Sequence, residues 1–316
     1  MASVLVCSMA VRQLTPELEE RAKQELGEDP ARRQEDINAI KTWLSKQGHL
    51  NANTEDQWIL TFLRGCKFSL ERTKEKIDSY YTFRTLLPEF FTNRDPMLPE
   101  MQEILNLGIC FPLPHPDPKG RKIFLMRVGN YDPSKIKLQD IMKLNYINMD
   151  ITLREDDRPI ICGDVLIMDM RGVTLGHLAQ VQPSLLKRAS TVYQDAYPVR
   201  PQGMHYVYAP SSFESILGLI KSFMKEKLRK RLSVHGNNID NLYKEIPQKC
   251  LPTEYGGEAG SIAELAAAWK TKVESHRDWL LADEQRRSDE KKRPGRPKSS
   301  DAIFGVEGSF RKLDFD

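Results

Sequence analysis

The residues of this chain that could do chemistry are scattered along it. Its six histidines (His49, His115, His177, His205, His235, His276) share no metal-ligand spacing, and its five cysteines (Cys7, Cys66, Cys110, Cys162, Cys250) form no CxxC pair. Neither a zinc site nor a disulfide frame is indicated, and the thiols read as the reduced ones of a cytosolic protein. No GxxxxGK phosphate loop, GxSxG elbow or GxGxxG turn is present; Gly256-Gly257-Glu258-Ala259-Gly260 is a loop. Asp169 ends an apolar run and reads as a loop-capping carboxylate. Glu155-Asp156-Asp157 beside Arg158-Pro159 reads as a solvated helix end. The chain is expected to be non-enzymatic, with no catalytic residue, metal or cofactor.

Charge is more informative than nucleophiles. A net charge of +3 over 316 residues implies no nucleic-acid partner, so any basic patch must be local. Lys291 to Lys298, KKRPGRPK, resembles a nuclear-import signal or an AT-hook, but Pro294 stands where the hook core needs its first arginine. The second basic group is Lys221, Lys225, Lys227, Arg229, Lys230 and Arg231, set against the single acid Glu226. It ends a helix whose apolar residues (Phe213, Ile216, Leu217, Leu219, Ile220, Phe223, Met224, Leu228) follow the 3.6-residue period. Taken alone, this segment reads as a core-packing helix with a solvated basic face, with a helix that meets a lipid surface as the alternative.

The elements that would position these groups are legible from caps and periodicity. Helices are expected over 14–29, with Thr15 as cap and Pro16 at the first position, over 32–46, from 55 after Thr54, and from Ser69. Together, 14–90 forms a small helical bundle. Strands follow at 122–128, 165–170 and 204–208, alternating with helices at 138–154 and 183–196, which implies an α/β fold with mostly parallel pairing. The run from Val165 to Met170 reads as a strand buried on both faces. The α/β domain is placed at 100–282, a disordered charged linker at 283–301, and a tail at 302–316 that could dock back through Phe304, Phe310, Leu313 and Phe315. The apolar N-terminus has no basic residue before it and is not read as a signal peptide, and no run approaches the ~20 apolar residues of a membrane span.

The helix faces hold more large apolar and methionine side chains than a small sheet needs for packing. Candidate linings of an apolar pocket are Met142, Asn145 and Met149, then Met168, Val192, Tyr193, Tyr197 and Met204. Phe213, Ile216, Leu219, Ile220 and Phe223 would form its lid. Such a pocket with few polar groups suits a lipophilic ligand.

Several segments, in order, resemble the CRAL-TRIO (Sec14-like) lipid-binding family. Trp58 to Phe68 is similar to the bundle motif ILRFLRARKF, departing at Gly65 and Cys66. Asp169-Met170-Arg171-Gly172 is similar to the D-x-x-G strand end, and Gln194 to Arg200 resembles the Asp-aromatic-Pro-basic segment. Lys225 to Leu232 with His235-Gly236-Asn237-Asn238 resembles the KEK and HGNN stretch, and Leu251 to Gly257 the LPxEYGG turn. Within the family the likeness is to the tocopherol-transfer, clavesin and retinaldehyde-binding branch, with a tail from Phe304 to Leu313 like that of insect members. The resemblance implies a helical N-terminal bundle followed by a cage of mixed, mostly parallel β-sheet under a movable helical lid. It implies binding and inter-membrane transfer of a small hydrophobic ligand such as a tocopherol, retinoid or carotenoid. It also implies a phosphoinositide headgroup cleft whose positions fall on Arg64, Arg200, Lys227 and Arg231, with one further basic position occupied by Gln202. The expected molecule is cytoplasmic, peripheral to phosphoinositide-containing membranes, and a monomer. The alternative is a phosphoinositide-binding trafficking protein whose cage ligand is secondary.

Overall fold

The computed structural model describes residues 11–211 and 213–305. Four helices come first: α1 (Pro16–Leu26), α2 (Arg33–Leu44), α3 (Asp56–Gly65) and α4 (Leu70–Leu86). Thr15 caps α1 through its side chain and Gly27 ends it in the left-handed region, as the sequence predicts. Two shorter helices follow, α5 (Pro88–Phe91) and α6 (Pro99–Leu107). The sheet then opens with β1 (Cys110–Pro112) and β2 (Lys122–Arg127). Next come α7 (Leu138–Glu155), α8 (Arg158–Ile161), β3 (Asp164–Asp169), α9 (Leu175–Ala179) and α10 (Pro183–Thr191). The second half holds β4 (Pro201–Val207), α11 (Phe213–Ser222), α12 (Glu226–Arg229), β5 (Leu232–Val234) and α13 (Asp240–Tyr243). It ends with α14 (Ile262–Ser275), α15 (Arg277–Glu284) and α16 (Ser300–Phe304).

The strands lie in sequence order, β1-β2-β3-β4-β5, with β1 antiparallel to β2 and the other pairs parallel. Side chains alternate across the sheet. Ile123, Leu125, Val165 and Ile167 pack against Leu242, Leu251 and Ile262 on one side. The register aligns Phe124, Leu166 and Met204 in one row on the other side, and Met126, Met168 and Tyr206 in the next. Leu166 and Met168 are only half-buried. The strand expected to be buried on both faces therefore packs on one and faces a cavity on the other.

Helix α7 is the axis of the molecule. Its Ile141, Leu144, Ile147 and Ile151 enter a core with Met101, Ile104, Val273 and Leu280. Tyr146 and Leu153 join the bundle core, where Tyr146 stacks on Tyr197 at 5.5 Å. Asp150 is fully buried on α7 and takes charge-assisted hydrogen bonds from Arg84 (2.7 Å) and Arg94 (2.5 Å) and one from the Tyr80 hydroxyl (2.8 Å). Both arginines also reach Asp283. A second lattice joins Arg64 to Glu28 and Asp157, with Arg12 on the outer edge of Asp157. The bundle is seated closely at Gly65, where a Cβ would stand 2.4 Å from the Pro198 carbonyl oxygen.

Residues 283–301 correct the expectation of a disordered linker. Asp283 and Ser288 are buried, Leu50 bridges Ser288 in antiparallel sense, and Arg293 pairs with Asp78 and Glu290. Lys298 also pairs with Asp78. High charge did not prevent order because Asp78 of the bundle takes up Arg293 and Lys298, and Glu290 of the segment itself also pairs with Arg293. Phe304 then packs edge-on to Phe83 at 5.2 Å. The remaining tail residues Phe310, Leu313 and Phe315, like Cys7, lie outside the described residues; the other four cysteines are free thiols.

Replacing Asp150 by Leu leaves the two buried cations Arg84 and Arg94 to share the single carboxylate of Asp283, and breaking a buried pair in this way costs about 3–5 kcal/mol. Urea denaturation of Asp150→Leu is expected to show a loss of this size, whereas exposed Lys230→Ala, paired only with Glu226 at the surface, is expected to fall within about 0.5 kcal/mol of the parent.

Candidate functional site

Between the methionine-bearing face of the sheet, α7, α10 and α11 lies an apolar cavity of about 250 Å³. Of the residues expected to line it, Met142, Asn145, Met168, Tyr193, Met204, Phe213, Ile216, Ile220 and Phe223 do so. Met126, Leu166, Tyr206 and Met224 join them. An apolar run read as core on both faces hides Leu166, whose alternation with Met168 along β3 carries the signal; Met126 and Tyr206 stand beside Met168 on the neighbouring strands.

Four expected residues, Met149, Val192, Tyr197 and Leu219, do not line the cavity. The predicted helix over 183–196 ends as α10 at Thr191 and continues as a wider π turn, Val192–Ala196, in which the Tyr197 amide bonds the Val192 carbonyl at 3.3 Å. The change of period turns Tyr193 toward the cavity and sends Val192 and Tyr197 into the bundle core, where Tyr197 meets Tyr80 at 5.3 Å. Leu219 lies off the stripe formed by Phe213, Ile216, Ile220 and Phe223, and is half-buried on α11. Met149 lines a separate inner chamber of about 40 Å³, with Phe124, Thr152, Pro159, Asp164 and Val199. Asn145, Leu166 and Tyr193 belong to the walls of both spaces.

The polar groups around the cavity are mostly committed. Ser190 donates to the Phe223 carbonyl, the Tyr146 hydroxyl to the Ala189 carbonyl at 3.1 Å, and His177 bonds Thr174 and the Tyr131 carbonyl. Asn145 has sulfur partners, accepting from Cys110 at 3.4 Å and donating to Met149 at 3.7 Å. At the inner chamber, Asp164 Oδ2 accepts from the Tyr193 hydroxyl at 3.4 Å, while Oδ1 has no hydrogen-bond partner among the described residues. Burial pushes the Asp164 carboxyl up to about 7 against the opposing pull of Tyr193 and Arg231. Asp169 behaves as the sequence reading has it: it accepts from Tyr255 and Arg171, tying the D-x-x-G strand end to the LPxEYGG turn. Among the described residues no group of three or more His, Cys, Asp or Glu side chains is arranged to hold a metal.

The long amphipathic helix of the sequence reading is two helices. The Gln194 side chain accepts from the Lys225 amide at 2.7 Å and donates to the Phe223 carbonyl at 3.0 Å, a carbonyl that also receives Ser190. These tertiary bonds replace the helical ones and separate α11 from α12. In α11 only Phe213 is fully buried. An element with few buried side chains opens at lower free energy than the core it covers.

The basic residues gather beyond that break, and their membership differs from the expectation. Arg64 is fully buried in its ion pairs with Glu28 and Asp157, so it is a strut between bundle and cage and leaves the headgroup set. Repulsion from Arg231, then burial, then Lys67, Arg200 and Arg72 together hold Lys227 below its ordinary value. Lys67 and Arg72 are thus the missed neighbours. Lys67 and Phe68 adopt positive φ at the end of α3, which turns the exposed Lys67 toward this patch. Arg200 is partly occupied by Glu25 at 2.9 Å, and Arg231 donates to the Pro201 carbonyl. Gln202 contributes no charge, as its position in the sequence suggests. No described helix is long and apolar enough to cross a membrane.

Comparison with known proteins matches residues 106–257 to the CRAL/TRIO domain and residues 29–101 to the Pinta-like, UBA domain. The chain is similar to an "Alpha-tocopherol transfer protein-like" protein of Mus musculus, 31% identical over 265 residues, covering 84% of this chain and 74% of the relative. It is also similar to "Clavesin-1" of Xenopus laevis, 32% identical over 245 residues, covering 77% and 74%. Among solved structures, the crystal structure of Sfh5 superposes with a TM-score of 0.50 at 15% identity over 80% of this chain and 92% of that one, a likeness of fold. With its mixed sheet, helical cover and N-terminal bundle, the chain belongs to the CRAL/TRIO domain family.

Proposed function

We propose that this chain is a non-enzymatic carrier that binds a small, largely apolar lipid in the cavity and exchanges it with membranes through movement of α11. The observation that carries the reading is the cavity itself: about 250 Å³ walled by Met142, Met168, Met204 and Ile220, and closed on one side by a helix that buries only Phe213 fully. Methionine walls adapt to more than one ligand shape, which suits tocopherols, retinoids, carotenoids or similar molecules. The similarity to an alpha-tocopherol transfer protein-like relative agrees with that class.

In the same reading the patch of Lys67, Arg72, Arg200, Lys227 and Arg231 docks the carrier on membranes that present phosphoinositide headgroups. A multiply charged phosphate is well matched by convergent arginine and lysine side chains, and the patch lies just beyond the break that ends α11. The carrier would work in the cytoplasm as a monomer, peripheral to the bilayer. The basic cluster also favours a second reading, in which phosphoinositide binding is the main task and the cage ligand is secondary.

Two experiments separate these readings. Met168→Trp fills the cavity, and transfer of labelled retinol or α-tocopherol between liposomes is expected to fall to background while binding to phosphoinositide vesicles persists. A parent protein that moves none of a broad panel of lipids refutes the carrier. Lys227→Glu with Arg231→Glu reverses two charges, each worth about 1 kcal/mol at an anionic surface. Co-sedimentation with vesicles containing phosphatidylinositol bisphosphate is expected to weaken at least tenfold; undiminished binding removes the patch from either reading.

A further inference from the structure

Asp164 is not used by the account above. It begins β3, and the alternation of the strand places it on the same face as Leu166 and Met168, the cavity face. Only 5% of its surface is exposed, and its Oδ1 lacks a hydrogen-bond partner among the described residues. A buried carboxylate oxygen left unpaired is costly, far more so than one that accepts a hydrogen bond. Asn145 and Tyr193 line both this chamber and the main cavity, and both are weakly engaged: Asn145 by sulfur, Tyr193 by a 3.4 Å bond to Asp164 itself. The ring of Tyr193 and the side chain of Leu166 give the two spaces a shared apolar wall, with the Asp164 carboxyl on the inner side of it.

We propose that the inner chamber is the seat of a ligand hydroxyl, donated to Asp164 Oδ1, so that the lipid carried is an apolar molecule ending in a free alcohol or phenol. The inference rests on the carrier reading and narrows its ligand class. The lipid body occupies the main cavity, and its hydroxyl end passes between Asn145 and Tyr193. An ester or ether of the same lipid cannot donate and would leave Oδ1 unpaired. Selectivity of this kind is large at pH above the raised value of about 7, where the carboxyl is ionised, because the right ligand supplies a hydrogen bond to a buried acceptor that the wrong one leaves unpaired. A water molecule held in the chamber in place of a ligand group would give no such selectivity.

The test uses the full chain and matched lipid pairs. The protein is incubated with vesicles carrying equimolar α-tocopherol and α-tocopheryl acetate, or retinol and retinyl acetate, then re-isolated, and its lipids are quantified by mass spectrometry. The parent is expected to enrich the free alcohol over the acetate by about tenfold or more in at least one pair. Asp164→Val is expected to bring that ratio toward one, and Asp164→Asn, which preserves an acceptor, to keep part of it. The ratio is internal to each sample, so a loss of folded protein does not imitate the effect. Equal uptake of both members by the parent overturns the inference while leaving the carrier intact, as does an unchanged preference in Asp164→Val. Recovery of no lipid from either pair or from a total lipid extract overturns both.

Discussion

Buried charge fastens this molecule together. Asp150 and Asp283 share Arg84 and Arg94, and Glu28 with Asp157 encloses Arg64, all removed from solvent. Desolvated ions are tolerable only when their partners are fixed, so each lattice dictates where the bundle sits on α7 and the chain that follows it. Helix α7 in turn supplies Met142 and Asn145 to the cavity and Met149 to the inner chamber. One wall of the site is thereby rigid, set by ionic struts on its far side. Adaptation to a ligand falls to the opposite wall, where α11 is half-buried and attached through turns.

The relation between lid and basic patch is equally physical. Gln194 and Ser190 grip the chain at Phe223 and Lys225, ending the apolar helix and starting the cationic one. The C-terminal end of α11 is thus anchored to α10 and the π turn that presents Tyr193, the point about which the proposed opening would hinge. A headgroup drawn to Lys227 and Arg231 would engage the residues next to that hinge. In the proposed reading, docking and opening would share this one short segment.

Much of this was legible in the residues. The caps at Thr15 and Gly27, the period-2 strands and the ordered motifs placed the bundle, sheet and lid, and the methionines on α7, β3 and β4 marked most of the cavity. What was missed depends on tertiary partners. Arg64 carries the right charge for a headgroup, but only the fold reveals Glu28 and Asp157 around it. Val192 and Tyr197 match a helical face until a π turn shifts the period by one residue. The charged run after Asp283 has the composition of a disordered linker, yet Asp78 and Glu290 neutralise Arg293 and Lys298. Asp164 stood two residues before Leu166 in plain alternation and was passed over because the run beside it looked uniformly buried.

The central claim is that the space between α7, the sheet and α11 is a lipid site. Native mass spectrometry of the chain purified without detergent, followed by organic extraction, tests it most directly. A single small lipid is expected on each chain, released by solvent and displaced in Met168→Trp. A chain that flies at its bare mass, yields nothing to solvent and gains no adduct after exposure to a total lipid extract would contradict it.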